Sequence, residues 1–257
     1  MLRFKNLGSG SSGNATVVQA RSESRLTHLL VDCGLGSKQL DHRLGQAGML
    51  ADQIDGIFIT HEHGDHVGCA LQVALRERIP VWMSHGTYLA IGEPDFDGLL
   101  RIAHDSVPIV LGALEVRPFT VPHDAREPLQ LTCSDGRSKL GILTDLGHAT
   151  AHVLDQLAGC DTLLLECNHD PQLLAASGYP DFLKRRIGGD WGHLANHAAA
   201  AIASAVQPHG LRQVVAAHLS EQNNRPELAR AALLATLGDR VEIHVASGRA
   251  GSCWLKA

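Results

Sequence analysis

The stretch Ile57-Phe-Ile-Thr-His-Glu-His-Gly-Asp-His66 constrains this chain more than any other. Three apolar residues, patterned as a buried strand, run straight into His61, His63, Asp65 and His66. Alternate residues of an extended segment point the same way, so His61 and His63 can share one target. A turn at Gly64 then presents Asp65 and His66 to a neighbouring target. Imidazole and carboxylate suit zinc and harder divalent ions such as manganese. The bland alternative is a polar loop with incidental histidines. A single histidine would favour it. Four ligand-type residues in six positions, directly behind an apolar strand, argue against it.

The pattern of a strand ending in a ligand-type residue recurs downstream. The strand-like segment 114–121 is followed by His123, 139–144 by Asp145, 162–167 by Asn168 and His169, and 213–217 by His218. Further strands are expected at 2–7, 15–20, 26–31, 80–83, 109–111, 129–133, 241–245 and 252–256. The Asp135-Gly136 turn signal separates 129–133 from 139–144. Helices are expected at 37–48, closed by Gly48, and at 67–78, opening at the motif. Others are expected at 84–91 with Ser84 as N-cap, and at 150–157, 171–176, 181–186, 196–206 and 226–237. The polar, turn-rich segment 92–105 reads as a variable loop over the site.

At 257 residues the chain suits one large domain or two small ones. No repeat, low-complexity tract or clear linker divides it, which favours one domain over 1–257. The apolar fraction of 44% is enough for a sizeable core. A net charge of −5 argues against wrapping nucleic acid by charge alone, though not against a local basic groove. Sixteen histidines are many for this length and fit a metal site with supporting histidines around it. The six cysteines are scattered without a C-x-x-C pair, as expected of reduced, mostly buried thiols in a cytoplasmic protein. The N-terminus has no basic-then-apolar signal segment, and no apolar run is long enough to span a bilayer, so no membrane partner is expected.

The H-x-H-x-D-H run resembles the signature of the metallo-β-lactamase fold superfamily, and the downstream strand-end residues match its motif set in order. That resemblance implies an α/β (α+β) fold, a four-layer αβ/βα sandwich. It implies two divalent metal ions, Zn or Mn. His61, His63 and His123 would hold one, Asp65, His66 and His218 the other, and Asp145 would bridge them. A hydroxide held between the two ions would be the nucleophile, oriented by Asp65. Gly8-Ser-Gly-Ser-Ser-Gly-Asn14, Glu166-Cys-Asn-His-Asp170, Gly192-His-Leu-Ala-Asn196 and Ala217-His-Leu-Ser-Glu-Gln-Asn-Asn224 are similar to segments of the YycJ-like (WalJ-like) subgroup. This group is kin to nucleases of the RNase J and tRNase Z type. Its implied activity is metal-dependent phosphodiester hydrolysis, with 5′-to-3′ exonuclease action on DNA rather than RNA. The chain has no room between Asp145 and His218 for the large β-CASP insert of RNase J.

The remaining candidates keep two readings each. His169 and His193 either donate to phosphate and protonate the leaving alkoxide, or tie loops together. Ser11, Asn14 and Asn168 offer hydroxyl or amide donors to a phosphate. Asp32 is expected to anchor loops beneath the site, and His85 to be a surface or packing histidine rather than a ligand. Lys184, Arg185 and Arg186 form the one basic cluster, either a solvated helix end or a phosphate contact. A thioester, lactone or other small-ester hydrolase on the same metal core is the competing function. A non-catalytic protein that keeps the fold is a third, and it would be signalled by a missing ligand.

Overall fold

The structure is a computed structural model and describes residues 1–22 and 25–257. The first half of the chain builds one sheet from β1 (Leu2–Gly8), β2 (Ala15–Arg21), β3 (Leu26–Val31), β4 (Gly56–Phe58), β5 (Val81–Met83) and β6 (Leu100–Ile102). The second half builds the other from β7 (Ile109–Leu111), β8 (Leu114–Thr120), β9 (Leu129–Ser134), β10 (Lys139–Leu143), β11 (Thr162–Glu166), β12 (Gln213–Ala217) and β13 (Glu242–Val245). β14 (Leu255–Lys256) returns to pair antiparallel with β1, so each sheet has seven strands among the described residues. In both sheets the earlier strands pair antiparallel through short turns. From β3 to β6 and from β10 to β13 the pairing is parallel. Parallel neighbours need long crossovers, which here carry helices onto the outer faces.

The alternation of side chains along each strand produces the layers. Leu29 and Val31 of β3 meet Leu131, Leu140, Ile142 and Leu164 of the opposite sheet in the central core. Leu30, between them, faces the other way, with Leu40 and Leu44 of α1 (Ser37–Gln46) and Val73 and Ala74 of α3 (Ala70–Glu77). β11 does the same in mirror fashion. Leu164 points inward, while Leu163 and Leu165 pack under α5 (Ala151–Leu157), α8 (Asn196–Val206) and α9 (Pro226–Leu237). Each fully buried leucine contributes on the order of 1.5–3 kcal/mol. The result is the four-layer αβ/βα sandwich that the resemblance implied. Ser84 caps α4 (His85–Ala90) by accepting from the Thr87 amide, and Thr150 caps α5 by accepting from Val153. Asp170 caps α6 (Pro171–Ala176), whose first position holds proline. The further short helix α7 (Asp181–Ile187) precedes α8.

Two local expectations need correction. The helix at 67–78 is broken: α2 (Gly64–Val67) ends at Gly68, and α3 starts at Ala70. The cause is close packing. Gly68 has φ +36°, and a Cβ there would lie 2.3 Å from the Cys33 carbonyl oxygen. The segment 92–105 is not a loop over the site. It buries Phe96 and Ala103, supplies edge strand β6, and none of its residues lines the catalytic cavity described below.

Gly34 makes the same contact from the other side. A Cβ there would fall 1.6 Å from the Asp65 carbonyl oxygen, so the loop after β3 can lie against the metal-ligand motif only if this residue is glycine. Gly34→Ala is expected to cost about 3 kcal/mol, near the upper end for overpacking, read as a lower urea midpoint. An unchanged midpoint would contradict the contact.

Candidate active site

β4 continues as Ile59 and Thr60 before the motif. The Thr60 amide donates to Asp32 Oδ1 at 2.9 Å and its hydroxyl donates to the same oxygen at 3.0 Å. That fixes the point from which His61 and His63 leave the strand. His63 is the N-cap of α2, whose single turn carries Asp65 and His66. His66 Nδ1 donates to Asp32 Oδ2 at 2.8 Å. Asp32 is thus the loop anchor that the sequence suggested.

From the second sheet, His123 Nδ1 donates to the Gly192 carbonyl at 3.1 Å and His218 Nδ1 to the Thr144 carbonyl at 2.7 Å. His61 Nδ1 lies 3.0 Å from the Thr60 hydroxyl. In each case Nδ1 is engaged by protein, which leaves Nε2 for the interior of the site. His63 presents Nδ1 instead, 3.0 Å from His61 Nε2 and 3.4 Å from His123 Nε2.

Candidate ligand atoms lie within 4.8 Å of one another in His61/His63/His123, in Asp65/His66/His218 and in His61/His66/Asp145. Asp145 adjoins both of the first two sets: it groups with His61 of the first, and its Oδ2 and Oδ1 lie 3.1 Å from His66 Nε2 and His218 Nδ1 of the second. These donors fit divalent cations. Buried polar atoms seldom lack a hydrogen bond, yet His218 Nε2 makes none, and neither does Asp145 Oδ2 although it lies 3.1 Å from His66 Nε2. Three imidazole nitrogens, from His61, His63 and His123, also converge, as ligands around a cation do.

The electrostatics point the same way. Burial, with His66 nearby, lowers the His61 pKa well below its ordinary value, and burial lowers that of His123. Both are therefore neutral, as a ligand must be. Burial opposes charge on His66, yet Asp145 and Asp32 outweigh it and raise its pKa to about 10. His218 is raised in the same way, chiefly by Asp145. Burial works against ionised Asp145, but His218 and His66 hold it well below the usual carboxylate range. A divalent ion held by His66 and His218 would have to displace their protons, so the affinity for divalent metal should fall steadily as pH is lowered. Metal titration across pH checks this; a pH-independent affinity would contradict it.

Sequence reasoning assigned no role to Glu166. It ends β11 fully buried. Its Oε2 accepts from the Leu146 and Leu194 amides at 3.0 and 3.1 Å. Its Oε1 lies 2.7 Å from His193 Nδ1 and 3.1 Å from His218 Nδ1. The available signal was the one used for Asp32, a carboxylate closing a buried strand. Ser11, Asn168 and His193 line a cavity of about 450 Å³ together with His63, Asp65, Asp145 and His218. Asn14 is not on that wall. It is buried, and its amide lies 3.3 Å from Asp65 Oδ2 and 3.0 Å from His66 Nε2. His169 is also buried and lines an adjoining cavity that shares His193. Glu166→Gln keeps the shape but puts an amide donor where an acceptor is needed. It should lower metal affinity about 10-fold or more, measured by competition with a chelator. Wild-type affinity in the variant would deny Glu166 its supporting role.

Residues 27–219 match the family model described as the beta-lactamase superfamily domain. Exodeoxyribonuclease YycJ of Bacillus anthracis is 33% identical over 254 residues, covering 95% of this chain and 94% of the relative. Exodeoxyribonuclease WalJ of Streptococcus pneumoniae is 28% identical over 232 residues, 88% and 85% of the two chains. The fold is shared with the metallo-β-lactamase fold protein YhfI from Bacillus subtilis, at TM-score 0.76, 16% identity and full coverage of both chains. It is shared too with the short form of human tRNase Z, at TM-score 0.66, 17% identity and 100% and 99% coverage. The domain match and the identity along nearly the whole chain agree with the site geometry: this protein belongs to the metallo-β-lactamase superfamily of metal-dependent hydrolases and is related to its YycJ/WalJ-like exonuclease subfamily.

Proposed function

We propose that the protein is a dinuclear metal phosphodiesterase that degrades DNA from an end, in the 5′-to-3′ direction. The observation that carries this reading is that His193 faces the same cavity as both ligand sets while buried Glu166 holds its Nδ1. The names of the YycJ and WalJ relatives support the DNA assignment.

In this reading His61, His63 and His123 hold one divalent ion, zinc or manganese, Asp65, His66 and His218 hold a second, and Asp145 is shared. Together the ions supply charge neutralisation at the phosphoryl oxygens and lower the pKa of water. The protein's own groups do the rest. Asp65 accepts a hydrogen bond from the attacking water and so orients it. Ser11 and Asn168 donate to nonbridging phosphate oxygens. His193 gives a proton to the leaving oxygen. With Nδ1 bonded to Glu166, Nε2 is the nitrogen left to do so.

His169 ties loops through its backbone rather than its ring. Its carbonyl accepts from the Asn196 amide at 2.9 Å, and burial lowers its pKa to about 4, so it has no proton to give at neutral pH. Asn14 acts by holding Asp65 and His66. We further assign residues 1–257 to one catalytic domain working in the cytoplasm. Five of the six cysteines are buried thiols, and among the described residues no helix is long and apolar enough to cross a membrane.

End-labelled DNA and RNA and a thioester, each incubated with metal-loaded protein, test this reading. Stepwise mononucleotide release from DNA is expected. Efficient thioester or lactone hydrolysis with DNA untouched would replace it with the small-ester reading. His193→Ala should reduce turnover on DNA about 10²- to 10⁴-fold with metal content near wild type.

The pH profile gives a second check. Burial disfavours charge on His193, but the Glu166 carboxylate raises its pKa above the ordinary value. An acid of raised pKa is active below that pKa and fails as pH climbs through it. The alkaline limb of kcat should therefore move to lower pH in Glu166→Gln, and an unmoved limb would remove His193 from proton transfer.

A further inference from the structure

A histidine that binds a metal through one ring nitrogen is aimed by whatever holds the other. For His61, His66, His123 and His218 the protein supplies that partner at Nδ1. His63 is reversed. Its Nδ1 faces His61 and His123, so the neutral ring carries its proton on Nε2. Among the described residues no hydrogen bond engages that nitrogen, and Asp124 Oδ1, at 3.9 Å, is the one carboxylate oxygen in ion-pair range of it.

The same oxygen lies 3.4 Å from His123 Nε2. His123 has no proton to offer there, because its proton sits on Nδ1, bonded to the Gly192 carbonyl. His63 has one. The 3.9 Å separation exceeds a hydrogen bond, and closing it takes a movement of about 1 Å. The two side chains are 30% and 27% exposed, so packing does not lock either of them.

The backbone around Asp124 is pinned on both sides. Glu62, inside the ligand motif, accepts from the Arg126 amide at 2.6 Å, and the Pro122 carbonyl accepts from the Gly147 amide at 2.7 Å. Asp124 Oδ2 accepts from Arg186 Nε at 2.5 Å. Of the basic cluster on α7, Arg186 is the member that lines the catalytic cavity, as Asp124 does. The end of α7 also reaches the first ligand set by a second route. It lies so close to Gly192 that a Cβ there would fall 2.1 Å from the Arg186 carbonyl oxygen. Gly192 is the residue whose carbonyl holds His123.

Resting on the metal assignment proposed above, we infer that Asp124 and Arg186 are positioning residues for the ion held by His61, His63 and His123. Asp124 Oδ1 accepts from His63 Nε2 and fixes the ring, and Arg186 fixes Asp124. A carboxylate on the outer nitrogen also makes the imidazole a more basic ligand. Asp32 and Glu166 serve His66 and His218 in this way. In the first set the outer nitrogens of His61 and His123 meet a hydroxyl and a carbonyl, so Asp124 is its supporting carboxylate.

The test is metal binding by the full-length protein, read by manganese titration against a competing chelator and by anomalous diffraction at limiting manganese. Asp124→Ala should weaken one of the two binding events about 10- to 100-fold and leave the other at its wild-type value. The peak among His61, His63 and His123 should be the one that fades. Asp124→Asn keeps the shape and an acceptor oxygen but loses the charge, and its affinity should fall between wild type and Asp124→Ala. Arg186→Ala should weaken the same event. Added to Asp124→Ala it should cause no further loss, because it acts through that carboxylate. Unfolding midpoints of the metal-free variants report whether each is folded.

Equal loss of both ions would overturn the inference, since it would reflect general loosening. So would wild-type affinity in the folded Asp124 variants, or additive losses in the double variant. Manganese bonded to Asp124 itself would make that residue a ligand and end its positioning role. If the wild-type protein binds both ions as assigned and the variants do too, this inference alone is wrong. If the wild-type protein holds no ion among His61, His63 and His123, the metal assignment has failed and the inference falls with it.

Discussion

Two buried carboxylates, one from each sheet, hold the site together. Asp32 follows β3 and Glu166 ends β11, and they are 2% and 0% exposed. Taking a carboxylate out of water costs several kcal/mol unless hydrogen bonds replace the lost solvent. Asp32 accepts from the Thr60 amide and hydroxyl and from His66. Glu166 accepts from the Leu146 and Leu194 amides and from His193, with His218 at 3.1 Å. Each therefore links a strand end to separate loops and aims an imidazole. The same contacts keep protons on Nδ1 of His66 and His193, so that Nε2 of each faces the working side.

The sandwich explains why loops distant in sequence meet. Helical crossovers on the outer faces leave the strand ends free to gather along one edge of the paired sheets. The first sheet delivers His61, His63, Asp65 and His66, and the second delivers His123, Asp145 and His218. The Gly/Ser loop after β1 fastens the halves. Asn14 bonds to the Asp65 loop, and the Ser9 hydroxyl accepts from the His218 amide at 2.6 Å. His218 has φ +53°, a backbone state that costs a non-glycine residue free energy unless its surroundings impose it. That clasp, with the Thr144 and Glu166 contacts to the ring, supplies the constraint. Stability and site geometry therefore rest on the same hydrogen bonds.

Much of this was legible before any coordinates. Strand and ligand coincide in the sequence because apolar runs stop where the chain reaches the edge of the sheet, so His123, Asp145 and His218 could be located from the strands preceding them. The role of Glu166 was not legible, because a carboxylate at a strand end reads equally as a local backbone acceptor; only its convergence with His193 and His218 distinguishes it. The break at Gly68 escaped for a similar reason. Its cause is the Cys33 carbonyl, far away in sequence. Segment 92–105 is polar enough to read as a loop, yet Phe96 and Ala103 anchor it to the sheet edge. Asn14 looked available to substrate and is instead committed to Asp65 and His66.

Two sheets converge on one site whose donors fit a pair of divalent ions. Anomalous diffraction from crystals of the manganese-loaded protein tests it most directly. Two peaks about 3.5–4 Å apart are expected, one among His61, His63 and His123 and one among Asp65, His66 and His218, with Asp145 between them. A single peak, or ions bound away from these seven side chains, would contradict it.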